Sequence, residues 1–187
     1  LAQTRGTMFP EEVAEVLDRL HELPAKVEQT FHLDEQIREL ADRYSKAETF
    51  LFIGRHTGYP AALEGALKLK EISYIHAEGF PAGELKHGPI ALVEPGVPVV
   101  AVATECHVYP KVLSNIQEVR ARGAHVPAVV TAGDEAAMAE HTDETFPVPL
   151  TDWTIQPLLA VIPLQLISYE IAVRRGLNVD QPRNLAK

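Results

Sequence analysis

Glu64, Lys68 and Glu71 are the residues of this sequence whose types and spacing speak most directly of chemistry. At about 100° per residue they share an arc of roughly 60° on a helix, an acid, a base and an acid in one narrow stripe. Two readings stay open. One is a solvated face with a Glu64–Lys68 i,i+4 pair, contributing about 0.2–0.5 kcal/mol. The other is a half-buried carboxylate, Glu71, whose lysine neighbour sets its orientation and pKa for proton abstraction. The stretch A-E-G-F-P-A-G-E-L-K-H-G-P follows closely and reads as a surface loop. It contains His87, which is either an exposed turn residue or an imidazole placed to pass protons near neutral pH. His76-Ala77-Glu78 echoes the H-x-E of zinc deaminases, but no Pro-Cys-x-x-Cys comes after it. The remaining histidines have no ligand spacing, and no metal is expected. The glycine-bearing turn 54–58 matches neither the dinucleotide nor the P-loop pattern, so no cofactor is expected.

The elements that would position these groups follow from periodicity. Residues 9–20 and 34–44 carry apolar residues at helical spacing. Short apolar runs at 49–53, 97–103 and 126–131, with a weaker one at 145–148, have the continuity of buried parallel strands. Helical stretches at 60–74, 110–122 and 155–175 separate or follow them, with Gly123 and Gly176 placed as C-terminal caps. Strands alternating with helices give βαβ units and a parallel sheet covered on both faces. Ligands of such sheets bind beyond the strand carboxyl ends, here the loops after Gly54 and Ala103.

Composition narrows the function classes. With 46% apolar residues, the 187-residue chain can bury a core suited to one α/β domain with an appendage. A net charge of −9 argues against general nucleic-acid or anionic-membrane binding. The apolar stretch 155–173 is interrupted by Gln156, Pro157, Pro163, Gln165 and Glu170 and reads as a buried helix, not a membrane span. Arg5, Glu11 and Glu12 break any signal-like run, and the single Cys106 has no disulfide partner in the chain. A cytoplasmic setting is the expectation.

The run A-L-E-G-A-L-K-L-K-E-I-S-Y-I-H-A-E-G-F-P-A-G-E-L-K-H-G-P-I-A-L-V (62–93) closely resembles the signature segment of the glucosamine-6-phosphate synthase family. V-D-Q-P-R-N-L-A-K (179–187) resembles the end of that family's sequences, and S-N-I-Q-E-V-R-A-R-G and P-L-Q-L-I-S-Y extend the likeness to nearly the whole chain from Phe9. The resemblance implies the second of two tandem sugar-isomerase (SIS) domains. Its fold would be a three-layer αβα sandwich, α/β with a mostly parallel sheet of flavodoxin-like architecture. Residues 1–33 would be a linker and helical appendage, 34–176 the SIS domain, and 177–187 a tail reaching the active site.

The implied activity converts fructose 6-phosphate and glutamine-derived ammonia to glucosamine 6-phosphate. By motif, Glu71 would move hydrogen between C1 and C2, with Glu64 and Lys68 supporting it. His87 would assist ring opening from across a homodimer interface, Lys187 would form a Schiff base with the open ketose, and Ala186 would line the pocket through its backbone. The implied partners are the sugar phosphate, a first SIS domain and a glutaminase domain. Cys106 sits too far along to be an N-terminal nucleophile, and Arg55-His56-Thr57-Gly58 lacks the hydroxyl cluster of a phosphate loop. Glutamine hydrolysis and phosphate binding are thus expected outside these residues. The competing readings are a non-catalytic sugar-phosphate-sensing or dimerisation module and a fructosamine-phosphate deglycase of the same superfamily.

Overall fold

The computed structural model describes residues 1–184. Strands β1 (Thr49–Gly54), β2 (His76–Pro81), β3 (Val99–Ala103), β4 (Pro127–Thr131) and β5 (Glu144–Val148) form one sheet in the order β2-β1-β3-β4-β5. Every pairing is parallel. Parallel neighbours require crossovers, supplied by α4 (Gly58–Ser73), α5 (Tyr109–Arg120) and the short α6 (Glu135–Met138). Helices α1 (Pro10–His21), α2 (Leu23–Thr30) and α3 (Asp34–Tyr44) precede the sheet, and α7 (Pro157–Arg174) follows it.

Alternation along β1 builds the two cores. Phe50 and Phe52 pack with Ile37 and Leu40 of α3, Ala62 and Ala66 of α4, and Leu164 and Ile167 of α7. Leu51 and Ile53 point the other way, against Val112 and Ile116 of α5 and Met138 of α6. All four β1 side chains are fully buried, each contributing about 1.5–3 kcal/mol relative to exposure. The result is the three-layer αβα sandwich that the strand–helix alternation implied. Helix α7 is long and apolar enough to cross a membrane by composition, but half of it is buried inside the domain. Gly176 closes it at φ +69, with Leu177 N–H donating to Ala172 O and Gly176 N–H to Val173 O.

The structure corrects the sequence reading after α4. The stretch read as a surface loop begins with β2, hydrogen-bonded along β1 from Thr49↔His76 to Gly54↔Pro81. Being an edge strand, β2 needs partners on one side only, so Gly79 and Pro81 are tolerated where a central strand would exclude them. It then enters a 3-10 turn, Ala82–His87. Within the N-terminal appendage, Leu23–Thr30 form a further helix with Pro24 accommodated in its first turn.

Candidate active site

Helix α4 turns Ala62, Ala66 and Leu69 to the core and keeps Glu64, Lys68 and Glu71 on a partly exposed face. Lys68 Nζ lies 2.6 Å from Glu71 Oε2, with the two side chains 34% and 25% exposed. The pair expected between Glu64 and Lys68 is replaced by this one, since i,i+3 and i,i+4 carboxylates both lie within reach of a helical lysine. The hydrogen bond to Glu71 holds the Lys68 ammonium above its usual pKa, against partial burial, and the charges of Glu71 and Glu64 add to it. Lys68 therefore stays a cation that fixes one carboxylate oxygen. Glu71 Oε1 has no hydrogen-bond partner among the described residues and can accept a proton.

Three residues further on, α4 ends in Tyr74, which adopts the left-handed conformation at φ 62 and ψ 15. The tail returns to this point. Arg183 N–H donates to Tyr74 Oη at 2.8 Å, and the Arg183 guanidinium stacks over the Tyr74 ring, 4.1 Å from its centroid. Between helix end and tail lies a cavity of about 450 Å³ lined by Lys70, Glu71, Tyr74, Ile75, His76, Arg183 and Asn184. Glu71 thus shares a cavity with the start of the motif R-N-L-A-K. Ala186 and Lys187 lie outside the described residues.

His87 is elsewhere. It ends the 3-10 turn after β2, its side chain 74% exposed and 4.0 Å from Glu84 Oε2. Glu71 sits just before β2 begins, and six strand residues at about 3.3 Å each intervene, so the two groups belong to opposite ends of the sheet.

The loops at the strand carboxyl ends, where ligands were first expected, hold only His87 among the described candidate residues. They do enclose a cavity of about 740 Å³ that includes Glu105, His107, Asp152 and Trp153. The rings of His56, His107 and Trp153 cluster at its edge, with centroids 4.5, 4.9 and 5.7 Å apart. Spacing could not have revealed this trio, because its members come from three separate loops. Tyr74 and Arg183 were also missed as site residues. Both lie inside the two quoted motifs, but only the fold shows that they touch.

A family model for the SIS domain matches residues 43–175. The chain belongs to the SIS-domain family. It is 55% identical, over 100% of its own length, to the isomerizing glutamine–fructose-6-phosphate aminotransferase of Gloeobacter violaceus, of which it covers 31%. With the enzyme of the same name from Corynebacterium efficiens the identity is 51%, over 100% of this chain and 30% of that protein. The chain thus spans about a third of the length of the curated relatives it matches. Among solved structures, the C-terminal domain of glucosamine-fructose-6-phosphate aminotransferase from Francisella tularensis matches with a TM-score of 0.89 and 39% identity, over 96% of this chain and 50% of that one. A glucosamine-6-phosphate deaminase from Thermotoga maritima matches at a TM-score of 0.72 and 26% identity, over 90% and 48%. The resemblance drawn from the motifs of this SIS domain therefore holds over its full length.

Proposed function

We propose that this chain is the sugar-isomerase part of a glutamine–fructose-6-phosphate aminotransferase and contributes one half of the isomerase site. The observation that carries the reading is the cavity in which Glu71, oriented by Lys68, meets the tail residues Arg183 and Asn184. In this reading Lys187 attacks C2 of open-chain fructose 6-phosphate and loses water to form an iminium, which ammonia then converts to its own by displacing the lysine. The iminium acidifies the C1 hydrogen. Glu71 takes that proton, and C2 receives one as the enamine collapses to the 2-amino aldose. Glu64 supports Lys68 electrostatically, and the Ala186 backbone lines the pocket.

Ring opening is assigned to His87 of a second copy. The separation of His87 from Glu71 along β2 supports this, because one chain does not bring them together. Leu158, Tyr169 and Val173 on the outer side of α7, each at least 46% exposed, supply apolar surface for an association. The glutaminase chemistry and the phosphate-binding hydroxyls belong to other parts of the longer enzyme. The single free cysteine supports a cytoplasmic setting.

Borohydride reduction of the longer enzyme with fructose 6-phosphate, in the absence of ammonia, tests the lysine step. The expected product is a hexose-phosphate adduct on Lys187, located by peptide mass. Label that accumulates on any other lysine, or none at all, refutes the assignment.

A further inference from the structure

A strained residue holds the C-terminal tail, one helical turn from Glu71. Tyr74 caps α4 in the left-handed region, φ 62, where glycine is the usual occupant and a bulky aromatic is an outlier. The turn behind it is braced, since Ser73 Oγ donates to Leu69 O at 2.6 Å and accepts from Ile75 N–H at 3.3 Å. A side chain kept where glycine would be easier invites the question of what that side chain holds. It holds Arg183 twice. The phenol oxygen accepts the Arg183 amide proton at 2.8 Å, and the ring lies under the guanidinium at 4.1 Å. Before this contact the tail is tied to the domain at Leu177, whose N–H donates to Ala172 O. The bonds from Asp180 and Gln181 N–H to Asn178 Oδ1 are local and fasten the tail to itself only.

We propose that Tyr74 is a positioning residue that pins the tail at Arg183 so that Lys187 operates beside Glu71; the catalytic consequence rests on the roles given to those two residues above. Tyr74 stands three helical residues beyond Glu71, a rise of about 4.5 Å. Lys187 follows Arg183 by four residues, so the covalent reach from the pin is at most about 14 Å. Without the pin the last hydrogen bond from the tail to the domain, among the described residues, is at Leu177, ten residues back, and the reach grows to about 36 Å. Effective concentration falls roughly as the −3/2 power of tether length, so lengthening the tether from four residues to ten dilutes the Lys187 amine at the site about fourfold. Tyr74 acts through the tail and touches no reacting atom.

The test uses the longer enzyme with three substitutions. Tyr74→Phe keeps the ring and removes the acceptor; Tyr74→Ala removes both; Tyr74→Gly removes both and relieves the backbone. Two signals are read, hydrogen exchange at the Arg183 amide and the rate of borohydride trapping of Lys187 by fructose 6-phosphate. The expected result is a loss of Arg183 protection of about tenfold or more in all three variants. Trapping should be about fourfold slower in the Ala and Gly variants, while Tyr74→Gly melts no lower than Tyr74→Ala. A purely structural Tyr74 would instead make the trapping rate follow the melting temperature across the series. Undiminished Arg183 protection in Tyr74→Phe and Tyr74→Ala, or parent-rate trapping in Tyr74→Ala and Tyr74→Gly once protection is lost, overturns the proposal. If the parent enzyme traps nothing at Lys187 but the variants free Arg183, the pin stands and the role given to Lys187 fails.

Discussion

Replacing Glu71 by Gln separates a structural carboxylate from a chemical one, because the two roles predict effects of different size. Structurally, the change weakens a single contact, the 2.6 Å pair with Lys68, whose members are 34% and 25% exposed. Partly exposed pairs are screened by solvent, and about 0.3–1 kcal/mol is the appropriate scale. The amide oxygen can still accept from Lys68, so the loss falls toward the lower end. In a domain of this size that lowers the melting temperature by roughly 1–4 °C. Chemically, the same change removes the group that accepts the C1 proton. Losing a general base slows turnover by about 10²- to 10⁴-fold, or roughly 2.7–5.4 kcal/mol in the barrier. The assay is solvent-hydrogen exchange at C1 of fructose 6-phosphate in the longer enzyme, with ammonia release from glutamine as an internal control. Exchange should collapse while ammonia release and melting stay close to the parent. If the Gln variant exchanges C1 hydrogen at the parent rate, Glu71 is not the base and the stripe on α4 is structural.

Other consequences are open to measurement. The chain alone should release no ammonia from glutamine and form little glucosamine 6-phosphate; robust synthesis by it would refute the half-site reading. Sedimentation at tens of micromolar should show a dimer, and a clean monomer there would remove the cross-subunit role of His87. His125, flanked by Tyr44, Arg43, Arg120, Asp143 and Glu144, has its pKa lowered chiefly by burial. The unfolded chain therefore binds this proton more readily than the folded one, and its contribution is complete above the unfolded value of about 6.5. Stability should fall as pH drops below that value, and urea midpoints at pH 7 and 5.5 should converge in His125→Gln. Gly54→Ala would place a Cβ 2.3 Å from Gly58 O, destabilising by roughly 3 kcal/mol or more; a melting curve like the parent's would show that the turn can open.

The core of this fold was legible because burial on both faces leaves an unmistakable trace. The central strands β1, β3 and β4 are continuous apolar runs, all but Thr49 of their residues buried. Strand β2 left no such trace, since its residues H-A-E-G-F-P are mostly half exposed and pair with one neighbour. Its strand character comes from β1 beside it, a tertiary effect that local pattern does not encode. The stripe on α4 was legible from spacing alone, but its pairing was not, because both Glu64 and Glu71 are stereochemically open to Lys68. Tyr74 and Arg183 are 109 positions apart, and nothing in either motif says that they meet.

On the proposed reading, the position of Glu71 accounts for one domain making only half a site. Helix α4 crosses from the carboxyl end of β1 to the start of β2, and Glu71 lies in its last turn. At 1.5 Å per residue, the thirteen residues from Gly58 put Glu71 about 20 Å from the strand carboxyl ends where α/β sheets usually bind ligands. A sugar phosphate at Glu71 therefore meets the C-terminal end of a helix, whose partial negative charge repels a dianion. Lys70 and Arg183 offer cations at the cavity edge, but among the described residues no helix N-terminus opens onto it. In the proposed reading the reacting carbons, C1 and C2, would be served here, while the phosphate on C6 would extend away toward donors supplied by a neighbouring domain. A carboxylate at the exit of a crossover helix, paired with a tail that docks on the helix cap, thus fits the proposed reading in which another body holds the ligand.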